Sequence, residues 1–151
     1  METKTAIDNF KKGLNGLLSD LANEIMPKPK NITDRVKTFD DALAIIGGPS
    51  NNLKILLDYN GIDPVLVGAK AMAKLQVIAT ALNEGWQPDW TNSNQYKYYA
   101  WFKMSGSGLS FHGAVLWHTV TLVGSRICFK SSELAEYAAE QFEDIYADFI
   151  A

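Results

Sequence analysis

DPVLVGAKAMAKLQVIATALNEG, residues 63–85, is the longest stretch of this sequence with helical apolar spacing. Asp63 followed by Pro64 is typical of an N-cap and a first helical turn, and Gly85 is suited to end the helix. Between these ends, apolar side chains recur every three or four residues, which places them on one helix face. They are Met72, Leu75, Ile78, Ala79 and Leu82. We therefore expect a central helix over Val65–Glu84.

Two shorter helices are predicted before the central helix. Thr38 precedes the segment Phe39–Leu43, and the acid Asp41 lies three residues after Thr38. This spacing resembles a capping box, although Glu or Gln is preferred at the third position. The sequence GGP at 47–49 ends this helix. Asn51–Tyr59 carries leucines on one side and is predicted as the second short helix, closed by Asn-Gly at 60–61.

The first 30 residues form a separate predicted segment. Between Thr5 and Met26, apolar side chains recur three and four residues apart, as in an amphipathic helix. They are Ile7, Phe10, Leu14, Leu17, Leu18, Leu21 and Ile25. PKPK at 27–30 ends the helix, because each proline disfavours helix in the residue before it. We expect residues 1–30 to be a helix with a Pro-rich linker and residues 31–151 to be a single domain. One hypothesis is that this helix packs on another copy of the chain, as in a self-assembling structural component.

After the central helix, the pattern changes to strand-like segments. A polar loop, Gln87–Gln95, leads to Lys97–Met104, which is rich in aromatic residues and is predicted as a strand. A Ser-Gly turn separates it from a second strand over Leu109–Trp117. The segments His118–Val123 and Arg126–Phe129 predict a third strand, which completes an antiparallel meander.

The C-terminal sequence predicts one more helix. Ser131-Ser132-Glu133 is typical of a helix start, and an apolar stripe follows without a break to Phe149. The stripe contains Leu134, Ala138, Phe142, Ile145 and Phe149. The predicted fold class is α+β, with N-terminal helices, a long central helix, a three-stranded antiparallel meander and a C-terminal helix packed on one face of the sheet.

Composition and charge narrow the class of protein. A chain of 151 residues with 47% apolar and 21% charged residues is typical of one soluble globular domain. A net charge of −3 argues against holding duplex DNA by neutralising many phosphates. The single cysteine, Cys128, cannot form an internal disulfide and indicates a reducing compartment. Without a signal-peptide core or a long apolar run, we expect a cytoplasmic protein with no membrane partner.

The aromatic segment GWQPDWTNSNQYKYYAWFK, residues 85–103, is the main candidate for a binding surface. Alternation along the predicted strand directs Tyr98 and Phe102 to one face and Tyr99 and Trp101 to the other. If the helices cover only one face, the second set is exposed; if they cover both, the segment is core. The candidate ligand-binding residues are Trp86, Trp90, Tyr96, Lys97, Tyr99, Trp101 and Lys103.

Three kinds of partner would suit such a surface. Aromatic rings interleaved with Lys97 and Lys103 could stack the bases of single-stranded nucleic acid. Tryptophan and tyrosine are also common anchors in contacts with a protein partner. Carbohydrate rings fit the same chemistry less well. The sequence therefore favours a non-enzymatic binding or accessory protein.

The alternative hypothesis to a binding protein is a small hydrolase. His112 and His118 share a strand face but lie roughly 20 Å apart at about 3.3 Å per residue, too far to bind one metal together. No Cys-x-x-Cys or His-x-x-x-His motif supplies further ligands, so we expect neither a metal nor another cofactor. Ser110 or Cys128 could form a nucleophilic site with one histidine and an acid such as Asp89. Burial would raise the Cys128 pKa, whereas the start of the final helix would lower it.

Charge is distributed unevenly along the chain. From Ser131 onward there are acids but no bases, whereas Asp63–Lys130 holds six basic and three acidic residues. The C-terminal acids would serve either as a solvated helix surface or as a face that binds a basic partner. They are Glu133, Glu136, Glu140, Glu143, Asp144 and Asp148.

Four motifs carry a resemblance to a protein family. They are TFDDALAIIG from Thr38, ALNEGWQPDW at Ala81–Trp90, KYYAWF at Lys97–Phe102 and SRICFKSSELAEYAAEQF at Ser125–Phe142. From about Thr33 to Phe149, the chain resembles an uncharacterised family of small proteins from bacteriophages and mobile elements of gut bacteria. It departs from the family pattern at Ala100, where proline is expected, and at Ala139, where glycine is expected. The resemblance implies a phage or mobile-element setting and no particular activity.

Overall fold

The computed structural model describes residues 11, 13–18, 21, 31–106, 108–119 and 125–150. The chain divides into two compact units, Met1–Asn31 and Ile32–Ala151, whereas the sequence places the boundary after residue 30. In the first unit, residues 11, 13–18 and 21 are helical. The rest of the helix predicted over Thr5–Met26, and the Pro-rich linker at 27–30, lie outside the described residues.

The second unit combines helices and strands, as expected for an α+β fold. Its described elements are α1 (Ile32–Arg35), α2 (Phe39–Ile45), α3 (Asn51–Leu57), α4 (Pro64–Asn83), β1 (Lys97–Ser105), β2 (Gly108–Trp117), a 3-10 turn (Ser125–Ile127), α5 (Ser132–Gln141) and α6 (Glu143–Ile150). The core lies between α4, the ribbon of β1 and β2, and the two C-terminal helices.

The central helix α4 forms where the sequence predicts it. The Asp63 carboxylate accepts hydrogen bonds from the N–H groups of Val65 (2.9 Å) and Leu66 (3.4 Å), which caps the first turn. At the other end, Glu84 (φ 49°) and Gly85 (φ 85°) both have left-handed backbone and stop the helix. The buried face of α4 supplies much of the core through Ala71, Leu75, Val77, Ile78, Ala79, Ala81 and Leu82.

Among the described helices, α4 alone is long and apolar enough to cross a membrane. Core helices of water-soluble proteins pass the same test of length and composition. The buried face of α4 gives its apolar residues a place in the core of this fold.

The capping box predicted before α2 is confirmed. Thr38 Oγ1 accepts a hydrogen bond from the Asp41 N–H (3.2 Å), and the Asp41 carboxylate accepts one from the Thr38 N–H (2.8 Å). The carboxylate also accepts from the Lys37 N–H (3.1 Å). These hydrogen bonds, those from Thr38 first, lower the pKa of Asp41.

β1 and β2 form an antiparallel ribbon. Pairing runs from Lys97 opposite Trp117 to Ser105 opposite Gly108, with a bulge between Trp101 and the next residue. One face of the ribbon packs on the core, and α5 contacts both strands. The core-facing side chains are Tyr98, Ala100, Phe102, Leu109 and Ala114.

The third strand of the predicted meander is not confirmed. Residues 120–124 lie outside the described residues, and Ser125–Ile127 form a 3-10 turn instead of a strand. In the part of the chain that the structure describes, only Phe129 joins the sheet, through one antiparallel bridge to Tyr98. The described sheet therefore has two strands.

Asn83, the last residue of α4, explains the path of the bridged segment. Its Nδ2 donates to the Cys128 carbonyl (2.8 Å), and its Oδ1 accepts from the Lys130 N–H (2.9 Å). The segment is thus held to the end of the central helix on both sides of Phe129. It follows β1 for a single residue because its flanks are fixed to α4.

The single C-terminal helix predicted from the sequence is broken at Phe142. This residue has φ −125° and ψ 33°, outside helical geometry, and its buried ring is only 3% exposed. The break starts α6 at Glu143, so Glu143 and Asp144 lie in a first helical turn, where the helix dipole favours carboxylates. α6 packs against α4, and the Tyr146 and Phe102 rings meet with centroids 4.7 Å apart.

Candidate binding site

The aromatic segment is divided between two depressions in the surface. The first, here named the polar cleft, has a volume of about 340 Å³, and its lining includes Gln76, Asn83, Trp86, Gln87, Trp90 and Arg126. The second, here named the apolar groove, has a volume of about 170 Å³, and its lining includes Tyr99, Trp101, Val115, Trp117, Phe149 and Ile150. The predicted binding residues therefore do not form one continuous surface.

Lys97 differs most from its predicted role as an exposed ligand-binding residue. Its side chain is fully buried, at 0% exposure. The ammonium group donates hydrogen bonds to the backbone carbonyls of Asp89, Asn92 (3.3 Å) and Gln95 (2.8 Å). It also lies 5.4 Å from the centre of the Trp90 ring, a cation–π contact. Lys97 is thus the internal anchor of the loop that precedes β1.

The polar side chains of this loop are used mainly within the loop itself. The Asp89 carboxylate accepts hydrogen bonds from the Thr91 N–H (2.9 Å) and hydroxyl (2.7 Å), and these lower the Asp89 pKa, the hydroxyl bond most. Gln95 Oε1 accepts from the Asp89 N–H (2.6 Å), and Asn92 Oδ1 accepts from the Asn94 N–H (2.9 Å). The loop is therefore held together by its own hydrogen bonds.

Tyr96 and Lys103 lie outside both depressions. Tyr96 is 49% exposed, and its ring packs edge-on against His118 with centroids 4.8 Å apart. His118 Nδ1 lies 2.7 Å from the Ser93 carbonyl oxygen, which ties the end of β2 to the loop. Lys103 is exposed towards the far end of β1.

The apolar groove combines exposed and buried aromatic side chains. Trp101 is 47% exposed and Trp117 is 37% exposed, whereas Tyr146 at the inner wall is buried. Burial raises the pKa of Tyr146. Ile150, 40% exposed, closes the side formed by α6. No charged side chain is among the described residues that line this groove.

An unpaired strand edge runs beside the apolar groove. Tyr98 exchanges both backbone hydrogen bonds with Phe129, 3.0 and 2.8 Å, so its peptide groups point away from β2. Peptide direction alternates along an antiparallel strand, and the N–H and C=O of Ala100 therefore point to the same outer edge. Within the described residues, no strand pairs with this edge beyond the bridge.

The polar cleft is built on the last turns of α4. The Asn83 side chain is occupied by the Cys128 and Lys130 backbone, as described above. Cys128 lies at the floor of the cleft, 2% exposed, and burial raises the pKa of its thiol. Tyr99 has the opposite effect on the thiol pKa and lowers it, but by less than burial raises it.

The structure does not join the residues of the predicted hydrolytic site. Ser110 Oγ donates to the Lys103 carbonyl (3.4 Å), and the Cys128 thiol is buried. Across residues 31–106, 108–119 and 125–150, no hydrogen bond links either nucleophile to His112 or His118. Nor do the described residues contain three or more His, Cys, Asp or Glu side chains placed to hold a metal ion.

Sequence reasoning missed three residues that shape the polar cleft: Gln76, Asn83 and Arg126. Gln76 and Asn83 lie seven residues apart on one face of α4, a spacing visible in the sequence. Arg126 belongs to the segment predicted as a strand, and the 3-10 turn is what brings it to the cleft.

No protein-family model matches this chain, and neither a curated protein nor a solved structure shows significant similarity to it. The resemblance to a phage and mobile-element family therefore stays a prediction from sequence motifs.

Proposed function

We propose that the protein is a non-enzymatic binding module that holds an extended peptide segment of a protein partner in the apolar groove. The observation that carries this proposal is the open β1 edge at Ala100, which lies beside exposed Trp101 in a lining without charge. In the setting implied by the resemblance, the module is a cytoplasmic accessory protein of a phage or mobile element.

The strand edge supports an extended partner. A peptide that continues the line of the Phe129 bridge would pair its backbone with the N–H and C=O of Ala100. Such pairing gives affinity largely independent of side chains, and adjacent pockets then select the side chains that alternate along the peptide. The groove lies where one of those side chains would point.

The groove lining supports a protein partner over nucleic acid. Lys97, one of the two cations expected to contact phosphates, is buried under its own loop. The other, Lys103, lies outside the groove. Exposed tryptophans in a groove whose described lining residues include no cation are typical anchors for apolar side chains of a protein. The partner segment should therefore carry an aromatic or large aliphatic residue.

The proposal can be tested by selecting binders to the full chain from a random peptide library. We expect the selected peptides to contain an aromatic or large aliphatic residue in an extended sequence. Trp101→Ala should weaken their binding at least about 30-fold, because removing a central anchor costs about 2 kcal/mol or more. Calorimetric titration measures the affinity, and urea unfolding verifies that the variant is folded.

Two further variants sharpen the test. Met104→Ala alters an exposed side chain (60%) on the same strand outside the groove, and it should leave affinity almost unchanged. Ala100→Pro removes only an outward N–H, which edge strands tolerate, and it should weaken binding about three- to tenfold. Failure to select any peptide, or selected peptides indifferent to both Trp101→Ala and Ala100→Pro, would contradict the proposal.

A further inference from the structure

We infer that the polar cleft binds one nucleotide unit, a nucleobase carrying a phosphate group. This site is separate from the apolar groove, and the inference does not depend on a peptide binding there.

The two indoles of the cleft are held in place before a ligand binds. Trp90 is fixed by the buried Lys97 ammonium 5.4 Å from its ring centre. The Trp86 backbone N–H donates to the Asn83 carbonyl (3.0 Å) at the end of α4. Both rings are half-buried, so each keeps part of its surface towards the cleft. Flat, ordered aromatic surfaces of this kind stack well on nucleobases.

Arg126 gives the cleft a positive charge that no described carboxylate neutralises. Its guanidinium has no hydrogen bond or ion pair within the described part of the chain, and no carboxylate is among the described lining residues. Glu84, close to the end of α4, is already paired with Arg35 (3.5 Å) and Lys130 (3.3 Å). An arginine fork left unpaired beside aromatic rings suits a phosphate, which it can bind through two parallel hydrogen bonds.

Two amide side chains complete the recognition chemistry. Gln76 and Gln87 line the cleft, and within the described residues their side chains make no hydrogen bond. Glutamine amides can donate to and accept from the edge of a base. A neutral sugar would use these amides and the indoles but would leave Arg126 unpaired. The chemistry of the lining therefore favours a planar ring joined to an anion.

The size of the cleft limits the ligand to a single unit. A volume of about 340 Å³ is at the small end of the roughly 300–1,000 Å³ found for ligand pockets. The same unit could be supplied as a free nucleotide or as one residue of a single-stranded nucleic acid. In both cases the cleft would contact the same base and phosphate. The two sources differ in the neighbouring nucleotides, which a strand has outside the cleft and a free nucleotide lacks.

Titration of the full chain with AMP, UMP, adenosine and a single-stranded RNA octamer tests this inference. Tryptophan fluorescence and calorimetry report binding. We expect AMP or UMP to quench the fluorescence and to bind at least about tenfold more tightly than adenosine, because Arg126 pairs with the phosphate. Arg126→Ala should lower the affinity for AMP to that for adenosine while leaving adenosine itself unaffected. Trp86→Ala should weaken both ligands.

Lys130→Ala is the matched control, since it removes an exposed cation near the cleft that is not among its lining residues. It should change AMP affinity less than about twofold, as expected for a screened surface charge. An octamer that binds about tenfold or more tightly than AMP identifies a nucleic-acid strand as the source, and equal affinities identify the free nucleotide. Absence of binding by AMP, UMP and the octamer, or binding unchanged in Arg126→Ala and Trp86→Ala, overturns the inference.

Discussion

The ammonium group of Lys97 donates hydrogen bonds to three backbone carbonyls of the preceding loop. Carbonyl oxygens gathered in a turn repel one another and need donors when they leave water. The buried lysine supplies these donors, and its charge is partly balanced by the Trp90 ring. A residue that looks like a surface cation in the sequence therefore determines the conformation of the loop and the position of Trp90.

Replacing Lys97 with methionine should destabilise the protein by about 3 kcal/mol, because the carbonyls of Asp89, Asn92 and Gln95 lose a charged donor without gaining water. Urea unfolding followed by circular dichroism measures this loss. Lys103→Met removes an exposed lysine from the same strand and should change stability by less than about 0.5 kcal/mol. Equal stabilities of the two variants would show that the loop does not depend on Lys97.

At the scale of elements, the helix termini follow local sequence rules. Asp63-Pro64 begins α4, Ser131 accepts the Leu134 N–H (3.4 Å) at the start of α5, and Thr38 begins α2. Each of these caps depends on residues within three positions, so the sequence alone indicates it. Helix caps of this kind are the part of the fold that the local sequence predicts well.

The capping box of α2 makes a prediction for pH dependence. The folded state lowers the pKa of Asp41 below its ordinary value of 3.8. Its carboxylate therefore contributes stability that is present above about pH 4 and is lost as the pH falls through the lowered folded value. The unfolding free energy of the wild type should exceed that of Asp41→Asn above this pH, and the difference should narrow in acid.

Chemical denaturation at a series of pH values measures this difference. Asp40→Asn is the control, since it removes a carboxylate from the same first turn that makes no hydrogen bond in the described structure. This variant measures the effect of removing one negative charge from that turn while the hydrogen bonds between Thr38 and Asp41 stay in place. A gap between wild type and Asp41→Asn that stays constant into acid would contradict the assignment.

The elements that the sequence did not predict depend on contacts between distant residues. Asn83 binds backbone groups more than 40 positions away, and this attachment holds the segment around Phe129 that the sequence assigns to the third strand. Phe142 lies on the expected apolar stripe, yet the requirement to pack α5 on the ribbon and α6 on α4 breaks the helix there. Likewise, the two depressions arise from the 3-10 turn and the strand edge, neither of which has a local sequence signal.

At the scale of the whole molecule, the N-terminal unit carries an apolar stripe that its described residues leave exposed. Leu14, Leu17, Leu18 and Leu21 are between 46% and 68% exposed. Residues three and four apart share one helix face, so these leucines lie together. An exposed row of leucines on a helix is typical of a surface that packs on another helix.

We therefore expect the full chain to self-associate through this helix. Deleting residues 1–31, or introducing Leu14→Lys with Leu18→Lys, should reduce the mass measured by sedimentation equilibrium to that of a monomer, because burying the added charges is costly. The deleted chain should keep cooperative unfolding, since the core belongs to Ile32–Ala151. Asn15→Lys is the control on the same helix. A monomeric mass for the unaltered chain would rule out this form of assembly.

Three consecutive residues give the groove and the cleft a common wall, because Arg126 and Cys128 line the cleft and Ile127 between them lines the groove. Any occupant that shifts this segment also changes the wall against which the other occupant rests. Thermodynamic linkage then makes the influence mutual: if a peptide raised the affinity for a nucleotide by some factor, the nucleotide would raise the affinity for the peptide by the same factor. One short segment of the chain could thus let the protein respond to two molecules at once.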